Sequence, residues 1–315
     1  MQARDRSGRD PHEERMRERR RVRRRRLLAL VALLASGAVA ALVFSLRPFA
    51  GGGGTASAPM PAQEPPARTA SRPQAVRPPP PKPPHDQPVP ILMYHVIAVA
   101  PAGAPYPGLY VTPQAFDQQL GWLAAHDYHP VTLERVYRYW RGLEALPPHP
   151  VVLSFDDGYR ADIVNALPAM MRRRWPGVLN LAVRNLGVNG GLYPRQVRRL
   201  IRNGWELDAH SLTHPDLTQV GAAQLRREVA GSRRLLEREF GVSVPFFCYP
   251  SGRFDAAVVA AVRKAGYLGA TTTEAGFGRP SELYTLRRIR VDGAESLAAF
   301  AASLTPAVGS AGAGG

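Results

Sequence analysis

Two hydrophobic periods alternate along residues 89–305 of the 315-residue chain. Short apolar runs of strand length stand at Pro90–Val96 and at 151–155, 178–183, 205–209, 245–249, 267–272 and 284–291. Between them, apolar residues recur at helical spacing. Thr112 is placed as an N-cap with Pro113 at the first helical position, and Phe116, Leu120 and Leu123 line one face. Thr132 opens a second helix with Leu133, Val136 and Trp140 facing inward. Ile163, Leu167 and Met170 mark a helix over 160–173, and Val197, Leu200 and Ile201 another over 194–203. Leu225, Val229, Leu236 and Phe240 mark a longer one over 221–240, with further helices at 254–265 and 294–304. Strands that alternate with helices predict parallel pairing through right-handed crossovers. About seven such units predict an α/β fold, a closed or partly closed, deformed (β/α) barrel, with an open doubly wound sheet as the alternative. In either architecture the chemistry belongs at the carboxyl ends of the strands.

Before residue 89 the pattern changes. Leu27–Leu46 is twenty residues without a charge, enough at about 1.5 Å per residue to span the roughly 30 Å core of a bilayer. It predicts a single transmembrane anchor. The arginine-rich run before it places the tail 1–26 in the cytoplasm and the rest of the chain outside. A cleaved signal peptide is the alternative, with small residues at 38–40 or 56–58 as possible cut sites. Both export the domain. Residues 47–88 are rich in proline and include Gly51–Gly54, too poor in large apolar side chains to fold, and read as a flexible to extended tether. The domain proper occupies 89–305, and the small polar tail 306–315 is expected to be disordered.

Charge narrows the function. Residues 1–26 hold twelve arginines against five acids and residues 27–88 five basic against two acidic, so +10 of the net +16 lies before the globular domain, the larger part of it in the tail on the far side of the apolar segment. That argues against a nucleic-acid partner for the globular domain. The single cysteine, Cys248, allows no intramolecular disulfide.

Candidate chemistry gathers at two strand ends. Val151–Tyr159 reads VVLSFDDGY: a buried strand delivering Asp156 and Asp157 to the rim, followed by Gly158 for a sharp turn. Neighbouring strand residues point to opposite sides, so the two carboxylates can take different tasks. After the apolar stretch 205–209, His210 and His214 stand four apart and can aim both imidazoles at one point. Two histidines and one carboxylate make a facial metal set with open positions.

SFDDG at 154–158 and HSLTH at 210–214, in this order, together with GLYPRQVRRLIRNGWELDAHSLTHPDL and PFFCYPSGRFD, resemble the polysaccharide deacetylases, the NodB-homology domains of carbohydrate esterase family four. The resemblance covers about residues 89–300. It implies a deformed β/α barrel that removes N-acetyl groups from acetamido sugars with a divalent metal, usually zinc. Asp157, His210 and His214 would hold the metal, and Asp156 would be the general base.

Two departures stand out. The third motif of the family is usually Arg-x-Pro-Tyr-Gly; this chain has Cys248-Tyr249-Pro250-Ser251-Gly252 in its place. The Ser251 N–H can still supply an oxyanion contact, Tyr249 is a neighbouring supporting candidate, and Arg288 or Arg290 could replace the missing arginine beside Asp156. The expected Leu-x-His near the C-terminus is also absent, Leu286-Arg287-Arg288 standing there instead. Met93-Tyr94-His95 resembles a subgroup that includes poly-N-acetylglucosamine deacetylases, and His95 is the candidate acid for the leaving amine. The expected function is therefore a membrane-tethered, extracytoplasmic, metal-dependent deacetylase of an N-acetylglucosamine polymer. A glycan-binding module without turnover and an O-acetyl-sugar esterase are its alternatives.

Overall fold

The protein is described by a computed structural model over residues 85–305. The expected cytoplasmic tail, the apolar segment 27–46, nearly all of the 47–88 tether and the tail 306–315 lie outside the described residues. Among the described residues no helix is long and apolar enough to cross a membrane.

In chain order the strands are β1 (Ile91–Tyr94), β2 (Val96–Ile97), β3 (Tyr110–Val111), β4 (His129–Pro130), β5 (Pro150–Asp157), β6 (Val178–Leu181), β7 (Glu206–Ala209), β8 (Phe246–Cys248), β9 (Gly269–Ala275) and β10 (Leu286–Arg290). The helices are α1 (Pro113–Ala125), α2 (Leu133–Trp140), α3 (Leu167–Met171), α4 (Pro194–Arg202), α5 (Ala222–Phe240), α6 (Ala256–Lys264) and α7 (Leu297–Ser303). Seven strands pair in the order β1-β10-β9-β8-β7-β6-β5, every pairing parallel, and β5 returns to β1 to close the ring. Closure decides between the two expected architectures in favour of the barrel. β4 pairs with the first residues of β5.

Alternation along the strands builds two shells. On β5, Val151, Leu153 and Phe155 face out into the larger core under the helices, with Phe116, Leu120, Leu123, Val197 and Leu200. Val152 belongs instead to a second cluster with Ile91, Val178, Phe246 and Leu286, one apolar residue from each of five strands. α2 adds Leu133, Val136 and Trp140 to that cluster, so an apolar layer backed by a helix fills the amino end of the barrel. Two residues further along β5 comes Ser154, and two beyond it Asp156. The interior therefore changes from apolar to polar toward the carboxyl end, where the period of two delivers the acids.

The expected helix caps are present: the hydroxyls of Thr112 and Thr132 accept the N–H groups of Ala115 and Arg135 at 3.1 and 3.3 Å. Two elements differ from expectation. The strand over 90–96 breaks at His95, and its last part pairs with β3. The helix over 160–173 begins as a wide turn at Asp162–Ala166, with Leu167 N–H reaching back to the Asp162 carbonyl. Pro168 lacks the N–H that a regular helix would use here, so the ladder widens just before it.

Candidate active site

β5 ends in a reversal. Asp157 (φ 73°) and Gly158 (φ 81°) are both left-handed, a conformation that aspartate tolerates better than most residues. At position 158 the positive φ strains any L side chain, and a Cβ there would also press to 2.3 Å on Leu181 Cδ1. Asn185 Nδ2 donates to the Asp157 carbonyl at 3.0 Å and fixes the turn.

His210 follows β7 directly, its N–H donating to the Leu181 carbonyl at 3.0 Å. Its Nδ1 lies 2.7 Å from the Cys248 carbonyl, leaving Nε2 to point at Asp157. The loop then turns through Ser211 and His214, both at positive φ. Glu228, buried on α5, holds that loop: its carboxylate accepts the N–H groups of Leu212 and Thr213 at 2.9 and 2.8 Å and the Thr213 hydroxyl at 2.7 Å. Nε2 of His210 and Nε2 of His214 each stand 3.6 Å from Asp157 Oδ1.

These three atoms suit one cation. Ligands bound at about 2.0–2.2 Å around a tetrahedral metal stand roughly 3.4 Å apart, close to the spacing here. Asp157 Oδ1 is buried without a hydrogen-bond partner, an acceptor waiting for positive charge. Burial lowers the His210 imidazole, yet Cys248, Asp156 and Asp157 outweigh that and lift it to about 10. These surroundings favour a positive charge on the imidazole. Burial and neighbouring His210 lower His214, which keeps its lone pair available.

Asp156, the neighbouring acid, is held apart from this set. Arg288 Nη1 and Nη2 donate to its Oδ1 and Oδ2 at 2.8 Å each, and Asn180 Nδ2 donates to Oδ1 at 2.7 Å. Burial opposes its ionisation, but the Arg288 guanidinium wins and holds the carboxyl far below the usual carboxylate range. The Cys248 thiol, buried and small, lies 3.6 Å from Oδ2 and 3.3 Å from Arg288 Nη2. His95 Nε2 is 3.9 Å from the same Oδ2. Burial lowers the His95 imidazole against the pull of Asp156 and Asp157.

The structure thus gathers Asp156, Asp157, His210, His214, His95 and Arg288, and leaves out two expected supports. Arg290 is the last residue of β10 and is exposed, whereas Arg288, two residues deeper in the strand, is buried. The Tyr249 ring packs on Phe247 and Phe254, and its hydroxyl donates to the Tyr284 carbonyl at 2.9 Å; alternation along β8 sends Cys248, not Tyr249, into the barrel. Ser251 sits exposed on the turn after β8 in left-handed conformation (φ 53°, ψ 18°). Sequence reasoning missed Asn180 and Glu228. Asn180 shows as a lone amide in the buried run VLNL, and Glu228 as a charge inside the apolar stripe of α5.

Comparison with known proteins places this geometry. The family described as polysaccharide deacetylase matches residues 144–270. The polysaccharide deacetylase-type protein YxkH of Bacillus subtilis (strain 168) is 26% identical over 215 residues, covering 68% of this chain and 75% of YxkH. The poly-β-1,6-N-acetyl-D-glucosamine N-deacetylase of Escherichia coli (strain K12) is 24% identical over 234 residues, covering 61% of this chain and 35% of that protein. The chain therefore matches only about a third of the length of the Escherichia coli relative. Among solved structures, the Streptococcus pyogenes deacetylase PplD in complex with acetate superposes with a TM-score of 0.66 at 27% identity, covering 70% of this chain and 100% of that one.

Proposed function

The chain belongs to the polysaccharide deacetylase family, and from that premise we propose that it is a metal-dependent N-deacetylase of an N-acetylglucosamine-containing polysaccharide, working outside the cytoplasmic membrane. The observation that carries the reading is the convergence of Asp157 Oδ1, His210 Nε2 and His214 Nε2, all within 4.8 Å of one another, beside an Asp156 that Arg288 keeps ionised. Those three residues would hold a divalent cation, most simply zinc, which when bound polarises the acetamide carbonyl and acidifies water.

The chain's own residues supply the proton handling. Oδ1 of Asp156 already accepts from Arg288 and Asn180, whereas Oδ2 accepts only one strong donor. Oδ2 is therefore the atom that takes the proton of the attacking water. His95 Nε2, facing Oδ2, is placed to deliver a proton to the departing nitrogen. The N–H of Ser251 on the neighbouring rim is the candidate donor to the developing oxyanion. Acetate and a free amine result. The likeness to the poly-β-1,6-N-acetyl-D-glucosamine deacetylase supports a β-linked N-acetylglucosamine polymer as substrate, and the apolar segment 27–46 supports a membrane tether.

Acetate release decides the matter. Chitin oligomers, poly-N-acetylglucosamine and peptidoglycan should be compared with an O-acetylated sugar. We expect acetate from an N-acetylated polymer, loss after chelation and return on adding zinc. Release only from the O-acetyl ester, or full activity after chelation, would overturn the reading.

A further inference from the structure

The charge of the globular domain is gathered on one side of the barrel. From residue 89 onward the chain holds 24 basic residues against 18 acids, a net +6. α4 and α5 together hold nine arginines against three acids, the same +6, so the remainder of the domain is balanced.

The three acids do nothing to neutralise the outer surface of these helices. Glu228 is buried and holds the histidine loop. Glu239 is taken by Arg198, whose Nη2 donates to its carbonyl at 2.7 Å and to Oε1 at 2.9 Å, joining α4 to α5 side by side. Glu237 Oε1 accepts Arg233 Nε at 2.9 Å. Of the arginines left, six form two outward stripes. Val197 and Leu200 face the core from α4, and Leu225, Val229 and Leu236 from α5. Arg195, Arg199 and Arg202 stand on the opposite side of α4, and Arg227, Arg234 and Arg238 on the opposite side of α5. All six are exposed, and none has an acidic partner among the described residues.

Such an arrangement costs the folded state. Like charges three or four positions apart on a helix repel, as Arg195 and Arg199, Arg199 and Arg202, and Arg234 and Arg238 do here. An anionic partner relieves that repulsion. The stripe on α5 is about 16 Å long at 1.5 Å per residue, and neighbouring helices lie about 9 Å apart. The charges therefore cover a broad convex face, which meets an array of anionic groups better than one small ligand. Phe240, the one aromatic residue of the two helices, lies beneath Arg198 with the guanidinium 5.2 Å from its ring centroid, so no free ring is offered for stacking a nucleic-acid base.

We propose that the α4–α5 face docks on the anionic phospholipid headgroups of a membrane. The helices run alongside the strands, so docking there lays the barrel on its flank and turns the catalytic rim along the bilayer surface. The inference rests on the reading that the domain works beside a membrane and adds which side it presents to the lipid.

The test places the full chain in vesicles of neutral phosphatidylcholine, or of phosphatidylcholine mixed with anionic phosphatidylglycerol, and reads the reaction of each arginine with phenylglyoxal by mass spectrometry. In anionic vesicles the six arginines should react about fivefold more slowly or less, and high salt should remove the protection. Arg290, across the barrel, should react equally in both. In the combined variant Arg199→Gln, Arg202→Gln, Arg234→Gln and Arg238→Gln, with its fold checked by circular dichroism, Arg195 and Arg227 should lose their protection. Equal reactivity in the two vesicles, or protection of Arg195 and Arg227 that survives in the variant, overturns the docking face. Protection by soluble polygalacturonate but not by anionic vesicles overturns it in favour of an acidic polymer. Should the chain fail to float with neutral vesicles, the anchor reading fails separately, and the same reactivity comparison with vesicles added to the chain in solution still decides the face.

Discussion

Asp156 and Arg288 form a buried ion pair on which the whole site turns. Arg288 stands by strand register level with Val152, through Ile91 and Leu92 on β1, and its long side chain passes Ser154 Oγ at 3.3 Å to reach the carboxylate above. The small thiol at Cys248 adjoins the guanidinium, where the family pattern has an arginine of its own. Removing one partner of such a pair strands a buried charge, at a cost of about 3–5 kcal/mol. Arg288→Ala should therefore lower stability by about that amount and turnover by about 100-fold, whereas Arg290→Ala, at an exposed position, should change turnover less than about threefold; denaturant melts and initial rates check both. Asp156→Asn should abolish turnover yet keep zinc binding, and His210→Ala should lose both. His95→Ala should slow acetate release about 100-fold if the imidazole carries the proton; a change under about threefold would return His95 to a packing role.

At the scale of elements, β7 joins the site to the amino end of the barrel. His210 ends it, and two carboxyls lie along it. Glu206 Oε2 accepts the N–H of Glu134 in the first turn of α2 at 2.9 Å, and Asp208 Oδ1 accepts the Phe246 N–H at 2.9 Å. Burial pushes Glu206 up to about 7, with Asp208 close by and raised further by burial and by Glu206. The folded state thus keeps a proton that the unfolded chain releases near 4.5. Stability from Glu206 is fully present below that value and is lost as pH rises toward and through about 7. We expect Tm to fall by about 5 °C between pH 5 and 8 from this group, and Glu206→Gln to flatten that fall. Equal pH profiles for variant and wild type would show that Glu206 ionises normally. α5 acts differently: Glu228 spans three donors of the histidine loop, so the loop's shape depends on a helix that touches neither the cation nor the water.

For the molecule as a whole, the expected anchor at 27–46 predicts where the domain works. After cell fractionation the full chain should appear with membranes, and a chain starting after residue 46 should appear in the soluble fraction. A full chain found wholly soluble and shortened would instead indicate a cleaved signal. The alternation of periods, the caps at Thr112 and Thr132, the acids ending β5 and the paired histidines after β7 were all readable from the sequence, because each depends on residues a few positions apart. What the sequence left open was long-range. Closure of β1 onto both β5 and β10 sets His95 beside Asp156. Height along β10 separates the buried Arg288 from Arg290 at the strand's exposed end, which the same motif had left equal, and alternation on β8 turns Tyr249 away. These outcomes depend on which strand lies beside which, and at what height. That is fixed only when a ring of seven strands closes, and no local spacing along one strand encodes it.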